Sequence, residues 1–363
     1  MKIVFACGGT GGHINPAIAI ADTLKDNVTG CEILFVGATG GMEESLVKAA
    51  GYPIVTLDVQ GVRRGELLSL PITLKKAHKA TKEAAVILER FAPDIVIGTG
   101  GYACYPALRA AIARGIPTAV HESNALPGLA VRLLAPRVSR VWLGLDAARA
   151  QLPRRAAALT VGNPLPRGFE RAPKEGNRAN APKVVLSFGG SLGATVLNDA
   201  VLDLMEQTRA RSDVRHVHAT GKREWERFMH ALSARGLDRD PRLEILPYIS
   251  DMPRRLRDAT VVVCRAGAMS IGEIAMAGRA AVLVPSPNVT GNHQFKNAKA
   301  LADRGAALLV EEREIGVKLA PAVLSLLDDA SRRAHLEASV LGFAHPNANK
   351  EIYLDILQLI AQK

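Results

Sequence analysis

Cysteine and aromatic residues are scarce in this sequence. Its 363 residues include four cysteines, which lie far apart and form no Cys-x-x-Cys pair. We therefore expect a reduced, cytoplasmic protein without a disulfide framework or a zinc site. Aromatic residues make up 4% of the chain, which disfavours binding of single-stranded nucleic acid, because such proteins stack bases on aromatic rings.

Several signals that would assign the chain to a familiar class are also missing. No run of 18 apolar residues and no signal peptide is present, so we expect neither a membrane span nor secretion. No Gly-x-x-x-x-Gly-Lys-Ser/Thr motif exists, which excludes a P-loop. The fingerprint Gly-x-Gly-x-x-Gly fails because Ile14 stands at its third glycine, counted from Gly9. The second predicted strand ends in Gly37-Ala38 instead of an acidic residue, which disfavours a nicotinamide dehydrogenase.

Basic residues are in excess, and the formal net charge is +11. This charge indicates an acidic partner such as nucleic acid, an anionic membrane surface or a phosphorylated substrate. The length favours two domains. A hydrophobic content of 48% with 32 glycines is typical of a soluble α/β enzyme.

Short Val/Ile-rich runs alternate with helical patterns, which predicts an α/β fold with doubly wound parallel sheets. The predicted strands are 2–7, 32–37, 53–58, 94–98, 117–121, 140–143, 158–161, 214–219, 242–246, 260–264, 281–284 and 307–310. The predicted helices include 16–26, 42–50, 72–91, 104–113 and 350–361.

The sequence repeats itself after half of its length. Lys2–Gly12 matches Lys183–Gly193 in residue type at nearly every position. Each half therefore opens with a strand and a glycine loop, which predicts two Rossmann-like domains that face each other across a ligand-binding cleft. We expect a linker at 162–182. The predicted domains are residues 1–162, joined by the C-terminal helix 347–363, and residues 163–346.

The glycine-rich turn at 8–13 is the first candidate site. We predict that a helix follows it, with Asn15 as N-cap and Pro16 as the first helical residue. Backbone N–H groups and the helix dipole at such a turn favour an anion or a sugar hydroxyl. The alternative is that the glycines only connect strand to helix.

The second half carries further candidates. Ser270 and Glu273 have the spacing of a capping box, but Glu273 is also suited to accept hydrogen bonds from both hydroxyls of a ribose. Arg265 is a candidate phosphate ligand, with a surface ion pair as the alternative. Gln294 and Asn297 share a helical face, and their amides suit either sugar hydroxyls or simple capping. Asp238-Arg239-Asp240 has the Asp-x-Asp form of metal-dependent glycosyltransferases, but we expect it to be an exposed loop.

Seven short motifs follow one another over nearly the whole chain. They are Gly-Gly-Thr-Gly-Gly-His at 8–13, Gly-Gly-Tyr at 100–102, His-Glu-x-Asn at 121–124, Gly-Asn-Pro at 162–164, Gly-Gly-Ser-x-Gly-Ala at 189–194, Cys-Arg-x-Gly-Ala at 264–268 and Gln-x-x-Asn-Ala at 294–298. Together and in this order, they resemble the MurG family of bacterial transferases.

The resemblance implies a GT-B fold and an inverting transfer without a metal ion or other cofactor. The transfer implied moves N-acetylglucosamine from UDP-N-acetylglucosamine to the C4 hydroxyl of undecaprenyl-pyrophosphoryl-N-acetylmuramoyl-pentapeptide (lipid I), which gives lipid II for peptidoglycan. The donor would lie mainly on the second domain and the lipid on the first. The resemblance also implies a peripheral location on the cytoplasmic face of the inner membrane.

The resemblance assigns roles by position. On the first domain it places Thr10, Gly11, Gly12 and Asn124 near the sugar and phosphates, with Gly101 and Tyr102 in an acceptor loop. On the second domain it places Ser191 at phosphate, the Ile249 backbone at uracil, Glu273 at the ribose and Gln294 at the sugar hydroxyls, with Ser270 and Arg265 as further candidates for substrate binding. His13 is the expected general base, and orienting the sugar is the alternative role.

The chain departs from the family pattern in a few places. Pro166 fills the position of an arginine, so Arg167, one residue later, becomes the candidate for the diphosphate. The family pattern has glutamine at the positions of Ser123, Leu192 and His293, and commonly serine at the position of Cys104.

A leucine-containing basic stretch at 63–79 predicts contact with anionic lipid, and the alternative is a core-packed helix with a solvated basic face.

The assigned transfer reaction has two rival functions. The first is a UDP-N-acetylglucosamine epimerase of the same architecture, which needs no acceptor. The second is a nucleic-acid-binding module, which the glycine loops and the few aromatic residues disfavour, so we expect no nucleic-acid partner.

Overall fold

A computed structural model of the chain describes residues 1–59, 70–169 and 182–362, without the side chains of 70–74 and Thr290. The chain forms two compact units, one of Met1–Arg167 with Asn347–Lys363 and one of Gly168–Pro346. Residues 170–181 of the predicted linker and residues 63–69 of the predicted basic stretch lie outside the described residues.

The first unit is built on a seven-stranded parallel sheet. Its strands are β1 (Lys2–Ala6), β2 (Glu32–Ala38), β3 (Ile54–Leu57), β4 (Ile95–Gly98), β5 (Thr118–Glu122), β6 (Arg140–Leu143) and β7 (Ala158–Thr160), in the order β3-β2-β1-β4-β5-β6-β7. Its helices before the second unit are α1 (Gly11–Asn27), α2 (Glu43–Ala49), α3 (Leu70–Phe91), α4 (Cys104–Ile112) and α5 (Leu129–Leu134). Apolar clusters cover both faces of the sheet, as the near-continuous Val/Ile runs of its strands require.

The second unit repeats this plan with six parallel strands. They are β8 (Lys183–Phe188), β9 (Val214–Ala219), β10 (Leu243–Leu246), β11 (Val261–Cys264), β12 (Ala281–Leu283) and β13 (Leu308–Leu309), in the order β10-β9-β8-β11-β12-β13. Its helices are α6 (Thr195–Gln207), α7 (Trp225–Ala234), α8 (Met252–Asp258), α9 (Ala268–Ala277), α10 (His293–Ala302), α11 (Ile315–Asp328) and α12 (Ala330–Val340). The predicted pair of doubly wound parallel α/β domains is confirmed.

The last helix, α13 (Ala348–Ala361), packs on the first unit. Its Ile352, Ile356 and Leu359 join the apolar cluster that contains Ile3 and Phe5 of β1. Asp355 accepts hydrogen bonds from Arg140 Nε (2.8 Å) and Nη2 (2.9 Å). No helix in the described part of the chain has both the length and the apolar character that crossing a bilayer requires.

The start of α1 differs from the prediction. The helix begins at Gly11 with Thr10 as N-cap, so Asn15 is not the cap and Pro16 lies inside the helix. Glycine has a poor helix propensity, which hid this turn from the sequence pattern. The consequence is that the first helical N–H groups belong to the glycine motif itself.

Candidate active site

Each sheet has a topological switch point, where the strand order reverses beside its first strand. In the first unit it lies between β1 and β4, and in the second between β8 and β11. Ligands of doubly wound sheets bind at the carboxyl ends of these strands, because the two following loops diverge there. The loops after these four strands, together with the helices that they lead into, contain most of the residues predicted from the sequence.

In the first unit, the loops after β1 and β4 pack closely together. Gly101 adopts φ +80°, and a Cβ atom there would overlap the carbonyl oxygen of Gly8. The Tyr102 ring lies 3.4 Å from a Cβ position built on Gly9. The hydroxyl of Thr99 donates to the carbonyl of His13 (2.6 Å). Gly101 and Tyr102 therefore fix the shape of the glycine-rich turn.

The turn presents unpaired donors at the start of α1. Among the described residues, nothing accepts a hydrogen bond from the N–H groups of Thr10, Gly11 or Gly12. The first N–H groups of a helix have no intrahelical acceptor, and the helix dipole adds partial positive charge there. The turn is therefore suited to bind phosphate or hydroxyl oxygens.

His13 is held in one tautomer. Its Nδ1 lies 3.0 Å from the carbonyl oxygen of Gly8 and 3.4 Å from the hydroxyl of Thr10. Because a carbonyl only accepts, Nδ1 carries the proton and Nε2 has a free lone pair. Burial lowers the pKa of His13 below its usual 6.5. The side chain is therefore a neutral imidazole near pH 7 with an acceptor nitrogen available, as a general base requires.

Asn124 follows β5 in a loop organised by Glu122. The Glu122 carboxylate accepts from the Asn124 backbone (2.9 Å), from its amide Nδ2 (3.1 Å) and from the backbone N–H of Gly128 (2.8 Å). Asn124 is thereby fixed at the carboxyl edge of the first sheet. Glu122, which is 4% exposed, was not predicted to have this role, although it belongs to the motif at 121–124.

Arg167 is not brought to the glycine turn. Its guanidinium pairs with Asp26 in the last turn of α1, fifteen residues after Gly11. At 1.5 Å per residue, the helix separates this pair from the turn by roughly 22 Å. Within the first unit, Arg167 and the residues predicted to share its substrate are thus at opposite ends of one helix.

In the second unit, the glycine loop after β8 leaves its donors free. The backbone N–H groups of Gly190, Ser191 and Leu192 and the hydroxyl of Ser191 have no hydrogen-bond partner among the described residues. Gly190 has φ +96° and Gly193 has φ +90°, so glycine is required at both positions. These donors are suited to an anionic diphosphate.

Ile249 follows β10 and combines a buried side chain with an unused peptide group. Its side chain is 3% exposed. Neither its N–H nor its C=O forms a hydrogen bond with a described residue. A fixed donor and acceptor of this kind match the edge of a uracil ring, which offers both a carbonyl and an N–H.

Glu273 lies on α9, the helix after β11, and the capping-box interpretation is wrong. The helix begins at Ala268 with Gly267 as N-cap, which places Ser270 inside its first turn. Glu273 is partly buried and has no hydrogen-bond or ion-pair partner among the described residues. Burial raises the pKa of its carboxyl to about 8. An unpartnered carboxyl at this edge is a strong candidate for a ribose diol.

Arg265 is engaged within the protein. Its guanidinium forms an ion pair with Glu312, and both side chains are largely buried. It also donates to the carbonyl of Val284 (3.2 Å). The ion-pair alternative is therefore present in the structure, although the pair is internal and not on the surface. The remaining N–H donors of Arg265 would have to serve any phosphate.

Gln294, at the start of α10, is oriented by the main chain. Its Oε1 accepts from the backbone N–H of Ser286 (2.8 Å), which leaves its NH2 group without a partner in the described chain. Asn297 is fully buried, and its amide donates to the carbonyl of Ala266 (3.2 Å). Gln294 can therefore bind a ligand oxygen, whereas Asn297 ties α10 to the loop after β11.

The Asp-x-Asp sequence at 238–240 lies in a turn, as predicted. Asp240 is engaged by Arg242, whose guanidinium approaches to 2.6 Å. Within residues 1–59, 70–169 and 182–362, no group of three His, Cys, Asp or Glu side chains is arranged to hold a metal ion.

Glu43 is, after Glu122, a second residue that the sequence reasoning missed. It is completely buried and accepts from the backbone N–H groups of Gly9 (3.2 Å) and Ala38 (2.8 Å). The only sequence signal was the number of nearby glycines, since a Cβ atom at Gly8, Gly37 or Gly41 would overlap its side chain. The acid lies directly beneath the glycine turn.

Comparison with known proteins agrees with this geometry. The chain matches the N-terminal domain of glycosyltransferase family 28 over residues 3–143 and its C-terminal domain over residues 184–352. It is 35% identical to the UDP-N-acetylglucosamine–N-acetylmuramyl-(pentapeptide) pyrophosphoryl-undecaprenol N-acetylglucosamine transferase of Limosilactobacillus fermentum, over 99% of both chains.

Two solved structures are also similar. The crystal structure of Acinetobacter baumannii MurG has 29% identity and a TM-score of 0.80, with 98% of this chain and 99% of that chain covered. A putative UDP-N-acetylglucosamine 2-epimerase from Listeria monocytogenes has 14% identity and a TM-score of 0.66, over 100% and 97% of the two chains, and shows the fold alone. The full-length match at 35% identity decides between the two kinds of relative, and the chain belongs to glycosyltransferase family 28, among its MurG members.

Proposed function

We propose that the protein transfers N-acetylglucosamine from UDP-N-acetylglucosamine to the C4 hydroxyl of the N-acetylmuramoyl-pentapeptide of lipid I, with inversion. The observation that carries the proposal is the similarity, over nearly the full length of both chains, to a protein named as an N-acetylmuramyl-(pentapeptide) pyrophosphoryl-undecaprenol N-acetylglucosamine transferase. The unpaired groups of the second unit support it, because they match the parts of a uridine diphosphate sugar.

The proposed donor site uses one group of the protein for each part of the nucleotide sugar. The peptide group of Ile249 binds uracil and the Glu273 carboxylate, beside Ser270, binds the ribose diol. Ser191 and the free N–H groups of its loop bind the diphosphate, with Arg265 as a further donor. The amide NH2 of Gln294 binds a sugar hydroxyl. No metal ion is needed in this scheme, because backbone N–H groups stabilise the charge that develops on the departing diphosphate.

In the proposed reaction, Nε2 of His13 takes the proton from the acceptor hydroxyl. The hydroxyl oxygen forms a bond to the anomeric carbon while the bond from that carbon to the diphosphate breaks, and UDP leaves with the electron pair. Thr10, Gly11, Gly12 and Asn124 hold the sugar and phosphate oxygens on the first unit. The proposal gives Arg167 no part at the glycine turn, because its partner is Asp26.

A test of the reaction is incubation with labelled UDP-N-acetylglucosamine, with and without lipid I. We expect a labelled lipid only when lipid I is present, and no loss of rate with a chelator. An isomerised UDP-sugar formed without any acceptor would favour an epimerase and overturn the proposal. The variant His13→Ala should lower kcat about a hundredfold or more and leave the dissociation constant of UDP unchanged. A near-normal kcat would remove His13 from the role of base.

The lipid acceptor implies contact with the cytoplasmic face of the inner membrane. In the described part of the predicted basic stretch, Lys75, His78 and Lys79 are exposed while Ala80 is buried. This pattern is that of a packed helix with a solvated basic face, and the leucines of the stretch are not among the described side chains.

A second surface of the first unit supports membrane binding better. Leu129 and Leu133 on α5 are 54% and 51% exposed. Arg132 and Arg137, both exposed, flank them without an acidic partner in the described chain. Leucines that insert among lipid chains beside arginines that meet phosphate headgroups are the usual chemistry of peripheral attachment to an anionic bilayer.

Vesicle sedimentation tests this surface. Binding to vesicles with anionic lipid should weaken with salt, and the double variant Leu129→Ser/Leu133→Ser should reduce it. The control Leu354→Ser changes an equally exposed leucine (52%) on α13. Equal binding by both variants would assign the membrane contact elsewhere, and no binding to anionic vesicles by the unaltered protein would remove the contact altogether.

A further inference from the structure

The two ends of one peptide bond connect Glu43 to His13. The Glu43 carboxylate accepts from the N–H of Gly9 (3.2 Å), and the carbonyl of Gly8 accepts from Nδ1 of His13 (3.0 Å). These N–H and C=O groups belong to the same amide, the Gly8–Gly9 peptide. Acid, peptide and imidazole therefore form one continuous chain of hydrogen bonds.

The surroundings of Glu43 are shaped for this acid. The residue is 0% exposed, and its second oxygen accepts from the N–H of Ala38 (2.8 Å). Both oxygens thus face N–H donors, as a carboxylate requires. Glycines at positions 8, 37 and 41 leave the space that the side chain fills. Burial of a charged group in this way is costly unless it is hydrogen-bonded.

The other half of the chain provides an internal comparison. The offset of 181 residues that relates the glycine loops also relates Glu43 to Glu224. Glu224 forms an ion pair with Arg227 (2.8 Å), and the N–H of Gly190, the counterpart of Gly9, has no partner among the described residues. The hydrogen bond from the glycine loop to the acid is therefore present only in the half that contains His13.

We propose that Glu43 is a positioning residue for His13, acting through the Gly8–Gly9 peptide group that lies between them. A carboxylate at the N–H end polarises the amide and strengthens its carbonyl as an acceptor, since hydrogen bonds in a chain reinforce one another. The stronger acceptor keeps the proton on Nδ1 and leaves Nε2 free. The inference rests on the proposed role of His13 as general base.

Charge adds to this effect. The negative charge of Glu43 favours the imidazolium and so opposes the lowering of the His13 pKa by burial. His121 on β5 also interacts electrostatically with His13, and burial lowers the pKa of His121 to about 4, while Tyr102 in the loop after β4 lies against Gly9 of the same turn. His121 is therefore neutral near pH 7, which makes Glu43 the charged group that raises the basicity of His13.

The test is the variant Glu43→Gln in the full chain. We expect the pKa of His13, followed by NMR of the 15N-labelled imidazole, to fall by about one unit. The Nδ1–H tautomer, dominant in the unaltered protein, should become mixed. The plateau of kcat should fall roughly tenfold and the acidic limb of its pH profile should move to lower pH, while the dissociation constant of UDP stays unchanged.

The matched control is Glu44→Gln. Glu44 is the next residue of α2, and the carboxylate of its partly exposed side chain accepts from the backbone N–H of Gly40 (2.7 Å). This variant should leave the tautomer and the pKa of His13 as they are.

The possible outcomes separate the two proposals. An unchanged His13 titration and tautomer in Glu43→Gln would overturn the positioning role, whatever the activity. An active His13→Ala variant would instead overturn the role of His13 as general base. The NMR experiment on Glu43→Gln would then still show whether Glu43 sets the tautomer and the pKa of His13. If Glu43→Gln does not fold, the unaltered protein decides, because a dominant Nε2–H tautomer contradicts the inference and a dominant Nδ1–H tautomer supports it.

Discussion

Glu273 is an acid that the fold keeps without a partner. Burial raises its pKa to about 8 from a usual value of 4.5, so the carboxyl of the free protein is mostly protonated at pH 7. The two hydroxyls of a ribose donate hydrogen bonds to the ionised form and stabilise it. Binding of the nucleotide should therefore lower this pKa and release a proton.

We predict that UDP binding at pH 7 releases most of one proton. The measurement is calorimetric titration with UDP in two buffers of different ionisation enthalpy. In Glu273→Gln the release should disappear, and the affinity should fall about tenfold or more, as for the loss of a hydrogen bond to a charged group. Glu226→Gln, on the exposed face of α7, should behave like the unaltered protein. A proton release that persists in Glu273→Gln would assign the coupling to another group.

The same raised pKa predicts a cost in stability. Between pH 4.5 and 8 the unfolded carboxyl is ionised and the folded one is not, so the folded state binds more protons and the free energy of unfolding falls as the pH rises. Glu273→Gln removes this term. Denaturant unfolding should show the variant gaining stability over the unaltered protein across that pH range, and parallel pH profiles would contradict the prediction.

Candidate ligand-binding residues could be named from the sequence where their own chemistry suits a ligand, and their roles stay predictions. Glu273 and Gln294 were named from the sequence, and the structure leaves each with groups free for a ligand. The capping-box interpretation of Ser270 failed because the helix begins two residues earlier, at Ala268. Glu43 escaped prediction because its partner Gly9, 34 residues away, is brought to it by the pairing of β1 with β2 and not by sequence spacing.

At the scale of elements, strand prediction was accurate because buried parallel strands consist of short Val/Ile runs. The strands predicted at 140–143 and 214–219 have the observed bounds, Arg140–Leu143 and Val214–Ala219. The first residues of helices were harder to predict from the sequence. The first turn of α1 begins with two glycines, Gly11 and Gly12, whose low helix propensity is overridden by the position of the turn after β1.

Close packing of the loops after β1 and β4 predicts a specific cost for Gly101→Ala. Its Cβ would overlap the Gly8 carbonyl, whereas at Gly115, which has φ +68°, nothing lies within 4 Å. Both substitutions place alanine at positive φ, which lowers the free energy of unfolding by ~1–2 kcal/mol. Thermal unfolding should show that cost alone for Gly115→Ala. Gly101→Ala should unfold earlier and lose transferase activity, and equal behaviour of the two would mean that the loops separate easily.

The contact of α13 with β6 predicts that the C-terminal helix stabilises the first unit. Asp355 is 8% exposed and accepts from Arg140 and from the indole N–H of Trp142 (2.7 Å). Breaking a buried pair of this kind costs about 3 kcal/mol, the lower end of the range, because Arg140 is partly exposed.

Fluorescence can measure this contribution. The chain contains two tryptophans, so a Trp225→Phe background leaves Trp142 as a reporter of the first unit. In that background Asp355→Asn should lower the urea midpoint, and Glu351→Gln, at an exposed position of α13, should not. An unchanged midpoint in Asp355→Asn would show that the apolar contacts of α13 suffice.

At the scale of the whole molecule, the two halves share a topology and differ in charge beneath their glycine loops. In the first unit a buried carboxylate accepts from the loop at Gly9. In the second, Glu224 is engaged by Arg227 and the loop N–H groups are free. The negative charge of Glu43 weakens the attraction of the first loop for a diphosphate, although the free N–H groups of that loop can still meet single oxygens of a ligand. Duplication therefore provides two similar loops, of which the second is suited to the nucleotide.

Hydrogen exchange can test this difference across the whole chain at once. With UDP at about 100 times its dissociation constant, amides that bind it should exchange about 100-fold more slowly. We expect slowing in peptides that cover 189–194 and 247–250, because the N–H groups of Ser191 and Ile249 have no partner in the described chain. Peptides that cover 8–14 should be unaffected by UDP alone. Protection of the first glycine loop instead would mean that the acid beneath it does not determine where the diphosphate binds, and the assignment of donor and acceptor to the two units would be reversed.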